Sequence, residues 1–164
     1  MNSKSILFAV ALLAVVGIFA YQALSSDGAV GGSGGDADSA LLKGQAVTVY
    51  KTATCGCCGN YVTYLERSGM EVEAVNVPSL GDIKKQYNVP SELQSCHTTV
   101  IGDYVVEGHI PVEAISKLLA EKPAIRGIAM PGMPSGSPGM PGPKEPFLIY
   151  ELTEAGKGSL FLEL

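Results

Sequence analysis

The chain has 164 residues, 46% of them hydrophobic and only 16% charged, with a formal net charge of −5. That length allows one domain plus appendages. Charges of both signs are dispersed without a basic stripe, which excludes nucleic acid as a partner, and the mild acidic excess favours solubility without naming a substrate.

The first appendage is a targeting segment over residues 1–24. Lys4 precedes an almost unbroken apolar run, Ile6–Tyr21, and no further charge occurs before Asp27. A short basic head and an apolar stretch read as a signal peptide or an uncleaved N-terminal membrane anchor. The run is short for a spanning helix, though Gln22-Ala23-Leu24 extends it. Ala20 and Ala23 are three apart, so no Ala-x-Ala cleavage site follows. Either outcome takes the rest of the chain out of the cytosol, to a periplasmic or extracytoplasmic place, with membrane contact through this segment only. Residues 25–44 then hold six glycines and three aspartates. They read as a flexible tether spanning roughly 25 Å as a random coil.

The domain is expected over residues 45–164. Ala46–Tyr50 is β-branched and aromatic, a first strand. Tyr61, Val62 and Leu65 recur at helical spacing, and Ser68-Gly69 closes that helix. Met70–Val77 alternates as a second strand, Ile83–Tyr87 is a short helix, and Val89-Pro90 breaks it. Thr98–Ile101 and Tyr104–Glu107 flank Gly102-Asp103, a hairpin signal. Pro111 suits the first turn of a helix over Val112–Glu121, with Ala114, Ile115, Leu118 and Leu119 as its buried stripe. The order β-α-β-α-β-β-α is that of an α/β, thioredoxin-like domain, in which the first strand and helix flank a cysteine motif.

Gly127–Pro146 holds five glycines, six prolines and three methionines, with Pro-Gly-Met-Pro at Pro131–Pro134 and Pro138–Pro141. Such composition argues against helix and against interior strand. A plain linker rarely spends methionine, a soft thioether, so Met130, Met133 and Met140 read either as donors at a metal site or as packing of the loop onto the domain. The tail forms a hairpin from Phe147–Leu152 and Ser159–Leu164 around Ala155-Gly156-Lys157-Gly158.

All four cysteines fall in Cys55-Gly56-Cys57-Cys58 and at Cys96. Cys55 and Cys58 have C-x-x-C spacing at a helix start, where free N–H groups and the helix dipole stabilise a thiolate. They are the candidate catalytic redox pair. Neighbouring Cys57 and Cys58 bridge only with backbone distortion, so the third sulfur is better explained by soft-metal chemistry. In a thioredoxin-like fold the loop before the third strand crosses beside the C-x-x-C and usually carries a proline. Here it reads Ser95-Cys96-His97-Thr98-Thr99, and a sulfur at that place completes a nest of four thiolates. With His97, His109, Met130 and Met133 in reach, the set favours Cu(I), and crowded thiolates can bridge several ions. Zinc on Cys55, Cys58, Cys96 and His97 is the nearest competitor, but explains neither Cys57 nor the methionines. Two structural disulfides and metal-free thiol–disulfide exchange stay open.

Lys51-Thr-Ala-Thr-Cys-Gly-Cys-Cys58, Val89-Pro90, Ser95-Cys-His-Thr98, Val106-Glu-Gly-His-Ile-Pro111, Pro131-Gly-Met-Pro134 and Gly136-Ser-Pro-Gly-Met140 together resemble the CopG-type family. This is the thioredoxin-like copper-resistance family of bacterial envelopes. The resemblance covers about Val47–Met140. It implies a periplasmic Cu(I)-binding protein with a multinuclear copper cluster on Cys55, Cys57, Cys58 and Cys96, and electron exchange with copper. The role expected is copper tolerance by sequestration, by transfer to an exporter or another envelope copper protein, or by copper redox interconversion. Many members carry a tryptophan and a histidine in the first helix. Tyr61-Val-Thr-Tyr64-Leu65 stands there instead, which leaves the site leaning more on sulfur.

Overall fold

The computed structural model describes residues 39–164. The expected targeting segment and most of the expected tether lie outside them. The packed chain starts before Gln45, the expected first residue of the domain. Residues 39–42 are helical, and Leu42 is 2% exposed within the main core. An apolar side chain with a core site to fill, and a Gly44 amide bonded to the Gly69 carbonyl, hold this stretch down.

Among the described residues the fold is mixed α/β. Seven strands make one sheet in the order β2-β1-β3-β4-β5-β6-β7. They are β1 (Ala46–Lys51), β2 (Glu71–Asn76), β3 (Thr98–Ile101), β4 (Tyr104–Glu107), β5 (Gly127–Ala129), β6 (Leu148–Thr153) and β7 (Gly156–Glu163). Beyond the helical residues 39–42, the helices are α1 (Gly56–Arg67), α2 (Gly81–Gln86) and α3 (Val112–Glu121), with a 3-10 turn at Ser91–Leu93. β1 runs parallel to β2 and antiparallel to β3, and β3 pairs antiparallel with β4.

Side-chain alternation divides the core between the two faces of the sheet. Val106, Ile128 and Ile149 join the main cluster with Val47, Val49, Tyr61, Leu65, Ile115 and Leu118. Val105 and Ala129, which adjoin Val106 and Ile128, join Leu152 of β6, Val89 and Leu93 in a second cluster. Helix α1 buries Cys58, Tyr61 and Leu65 along one face, and it ends at Gly69, whose φ of +89° suits glycine. Pro111 lies one residue ahead of its expected place, at the N-cap of α3, where its carbonyl accepts from Ala114 and Ile115.

The segment Gly127–Pro146 is not free of strand. Gly127–Ala129 forms β5, parallel to β4 and antiparallel to β6, inside the sheet. The prolines begin only at Pro131, so these three residues keep their ladder donors. A Cβ at Gly127 would lie 1.8 Å from the Val105 carbonyl oxygen, so the close strand pairing requires glycine. The expected C-terminal hairpin is present as β6 and β7, and through β5 it extends the sheet. Its Phe147 and Ile149 belong to the main core.

Candidate metal centre

The four cysteines converge where β1 hands over to α1. Cys55 is the N-cap of α1, Cys57 and Cys58 lie in its first turn, and Cys96 arrives on the limb before β3. Their four sulfurs all lie within 4.8 Å of one another. Cys55 and Cys58 are joined as a disulfide, while Cys57 and Cys96 are free and half-buried. Cys57 Sγ is 3.5 Å from Cys55 Sγ, and Cys96 Sγ is 3.6 Å from Cys58 Sγ. Sulfurs this close, with two of them already bonded, are suited to two-electron dithiol chemistry or, once reduced, to sharing soft ions.

Two buried histidines extend this set. His109 Nε2 is 2.9 Å from Cys96 Sγ, and His97 Nδ1 is 3.4 Å from the same sulfur. Cys96, His97 and His109 thus form a second group whose donor atoms lie within 4.8 Å. His109 Nδ1 is 2.7 Å from the Pro138 carbonyl, which can only accept. That fixes the proton on Nδ1 and turns the Nε2 lone pair towards Cys96. The Nε2 of His97 is buried and has no hydrogen-bond partner among the described residues. The Tyr61 ring packs against both imidazoles, at 4.5 Å from His97 and 5.5 Å from His109, and its hydroxyl donates to the Ile110 carbonyl.

Burial sets the protonation of these groups. It pushes the Cys96 thiol up to about 11, with the nearby Cys57 adding to the shift. It pulls His97 down to about 3, helped by His109 and then Lys84, and it lowers His109 as well. Without a metal the site therefore holds neutral imidazoles beside a protonated Cys96.

The methionines divide. Met130 is 1% exposed and packs in the main core, whereas Met133 is 55% exposed. The segment that carries them lies against the site. Gly132 N–H donates to the Gln94 carbonyl, and the Ser95 hydroxyl donates to the Gly132 carbonyl. Asn60 Nδ2 donates to the Gly139 carbonyl. A Cβ on Gly139 would come within 2.8 Å of both the Cys57 carbonyl oxygen and the Tyr61 nitrogen. The Gly/Pro/Met segment is thus a strap across the first turns of α1, not a linker.

Sequence reasoning missed the support beneath Cys96. Glu107, fully buried at the end of β4, accepts from the Ser95 amide at 2.7 Å and from Thr98 Oγ1 at 2.6 Å. It is also ion-paired to the buried Lys84 of α2. The only signal in the sequence was a carboxylate closing an apolar strand next to Gly108-His109. Nothing marked Lys84.

Comparison with known proteins gives three findings. The family described as "Protein of unknown function, DUF411" matches residues 93–140, which include Cys96, both histidines and the strap as far as Met140. Among curated proteins nothing matches. Two solved structures, titled "Copper resistance protein copG- Form 1" and "Copper resistance protein copG- Form 2", are each 36% identical to this chain with a TM-score of 0.69. Each match covers 74% of this chain, and 98% and 99% of the respective solved chains.

Proposed function

The chain belongs to the CopG-type copper-resistance family, and from that membership and its sulfur geometry we propose that it is an extracytoplasmic Cu(I)-binding protein. The carrying observation is the convergence of four cysteine sulfurs within 4.8 Å. In the reduced chain Cys55, Cys57, Cys58 and Cys96 bind Cu(I) as a multinuclear thiolate cluster, with His97 and His109 beside it. Copper here is cargo or substrate. The role is copper tolerance, by sequestration, by transfer to an exporter or another envelope copper protein, or by interconversion of copper oxidation states. Residues 1–24 deliver the domain out of the cytosol and tether it to the membrane if uncut. The strand order β2-β1-β3-β4, with β1 and β2 parallel and the other two pairings antiparallel, supports a thioredoxin-like core to which β5–β7 are added.

Anaerobic titration of the reduced full-length chain with Cu(I) against a chromogenic competitor tests this reading. More than one tightly held ion per chain is expected, falling in Cys57→Ser and Cys96→Ser. Loading unchanged by either substitution removes the cluster from consideration. The Cys55–Cys58 disulfide supports a second reading, metal-free thiol–disulfide exchange. That reading requires reduction or oxidation of a test disulfide by the metal-free protein, with no dependence on Cys57.

A further inference from the structure

We propose that the chain carries a second metal site selected by its disulfide. With Cys55 and Cys58 joined, Cys96, His97 and His109 form a one-sulfur, two-nitrogen site for a borderline divalent ion. The inference deepens the copper reading, since it shares Cys96 with the four-thiolate set and assigns a ligand class to the oxidised chain.

The disulfide takes two of the four sulfurs out of use as thiolates, because only a thiolate is a strong ligand. It leaves the second set untouched. Cys96 is free, and its sulfur lies 2.9 Å from His109 Nε2 and 3.4 Å from His97 Nδ1. Ligands bound at about 2.3 Å for sulfur and about 2.0 Å for nitrogen stand only slightly further apart than this, so small outward movements admit an ion.

The surroundings support the same assignment. A ligating histidine characteristically donates its other ring N–H to a carbonyl or carboxylate. His109 does this to Pro138, so the strap orients the imidazole while its free nitrogen faces sulfur. The His97 and His109 rings meet edge-on at 4.6 Å, and Tyr61 packs against both, which limits their rotation. Both residues are fully buried, so the site is enclosed.

Donor chemistry then separates the two states. Four thiolates suit Cu(I), whereas two imidazoles and one thiolate suit Cu(II) and Zn(II). The shared sulfur makes the two occupancies compete. Reduction of the disulfide favours the soft ion, and its formation favours the borderline one.

The test uses Co(II), which the free Cys57 thiol does not reduce. It is added anaerobically to the full-length disulfide form, after confirming that only two thiols per chain react with a thiol reagent. One Co(II) per chain is expected, with a sulfur-to-cobalt charge-transfer absorption. Cys96→Ser abolishes that absorption, His109→Gln weakens binding by at least the ~10–100-fold that follows loss of a ligand's outer partner, and Cys57→Ser leaves the absorption in place. Alkylating the two free thiols of the unmodified chain abolishes it too, a control that needs no variant to fold. The proposal is overturned if the disulfide form binds no Co(II). It is equally overturned if the absorption survives Cys96→Ser, if it is lost with Cys57→Ser, or if His109→Gln binds as tightly as the parent. Cu(I) titration of the reduced chain is the separate check on the copper reading. Cu(I) bound by the reduced chain with no Co(II) on the disulfide form sinks this inference alone.

Discussion

At His97 burial decides the chemistry of a single side chain. The imidazole is fully enclosed, its Nε2 has no partner among the described residues, and its proton affinity falls to about pH 3. The same group in an unfolded chain titrates near ~6.5. Between these values the unfolded chain binds more protons than the folded one, so stability rises with pH across the window. The contribution of neutral His97 is full above ~6.5 and is lost as pH falls towards about 3. Urea unfolding of the metal-free chain is expected to show about 2 kcal/mol less stability at pH 5 than at pH 6.5 from this group. His97→Gln should flatten that slope, and a slope unchanged by the substitution would assign it to other groups. The sequence placed Cys96 and His97 together because they are neighbours. The approach of His109 to the same sulfur was less legible, since it depends on the β3–β4 hairpin returning His109 to the start of β3.

Among the elements, the strap was the least legible. Its prolines and glycines correctly argued against a helix, and they hid the three-residue strand β5, which rests on Ile128 and on strand pairing that only the fold supplies. The hairpin over Thr98–Glu107 and helix α3 were plain, because each has a local period and a local stop signal. The strap has neither. It is ordered by contacts with distant segments, as at Gly139. There φ is +84°, and a Cβ would press on the Cys57 carbonyl and the Tyr61 nitrogen, with no flexible side chain to yield. Gly139→Ala is expected to cost about 1–3 kcal/mol from the backbone conformation alone. It should also lift Pro138 from His109, which would show in NMR spectra as faster exchange of the His109 Nδ1–H. Unchanged exchange with unchanged stability would mean that the strap does not orient the histidine.

Across the whole molecule, the Lys84–Glu107 pair joins parts that are far apart in sequence. Lys84 belongs to α2, Glu107 ends β4, and the carboxylate also holds the Ser95 amide and the Thr98 hydroxyl at the entry to β3. Cys96 lies between those last two residues, so the pair fixes the limb that carries the distal sulfur. A buried ion pair is not in itself a strong source of stability, because desolvation offsets much of its attraction. Leaving one partner alone is costly, at about 3–5 kcal/mol. Lys84→Met and Glu107→Gln are each expected to destabilise on that scale. Lys84→Met leaves a buried carboxylate, and Glu107→Gln leaves a buried ammonium. The double variant should lose clearly less than the sum, because no lone charge remains. Residual loss in the double variant would measure the Ser95 and Thr98 hydrogen bonds that a glutamine amide meets imperfectly. A double-mutant cycle by urea unfolding reads both quantities, and strictly additive losses would show that the pair is not coupled. Cu(I) loading of the same variants then separates scaffold from site. If Glu107 acts by holding the Cys96 limb, Glu107→Gln should lower copper stoichiometry at temperatures where the chain is still folded, and Lys84→Met should do so less, since it leaves the carboxylate on Ser95.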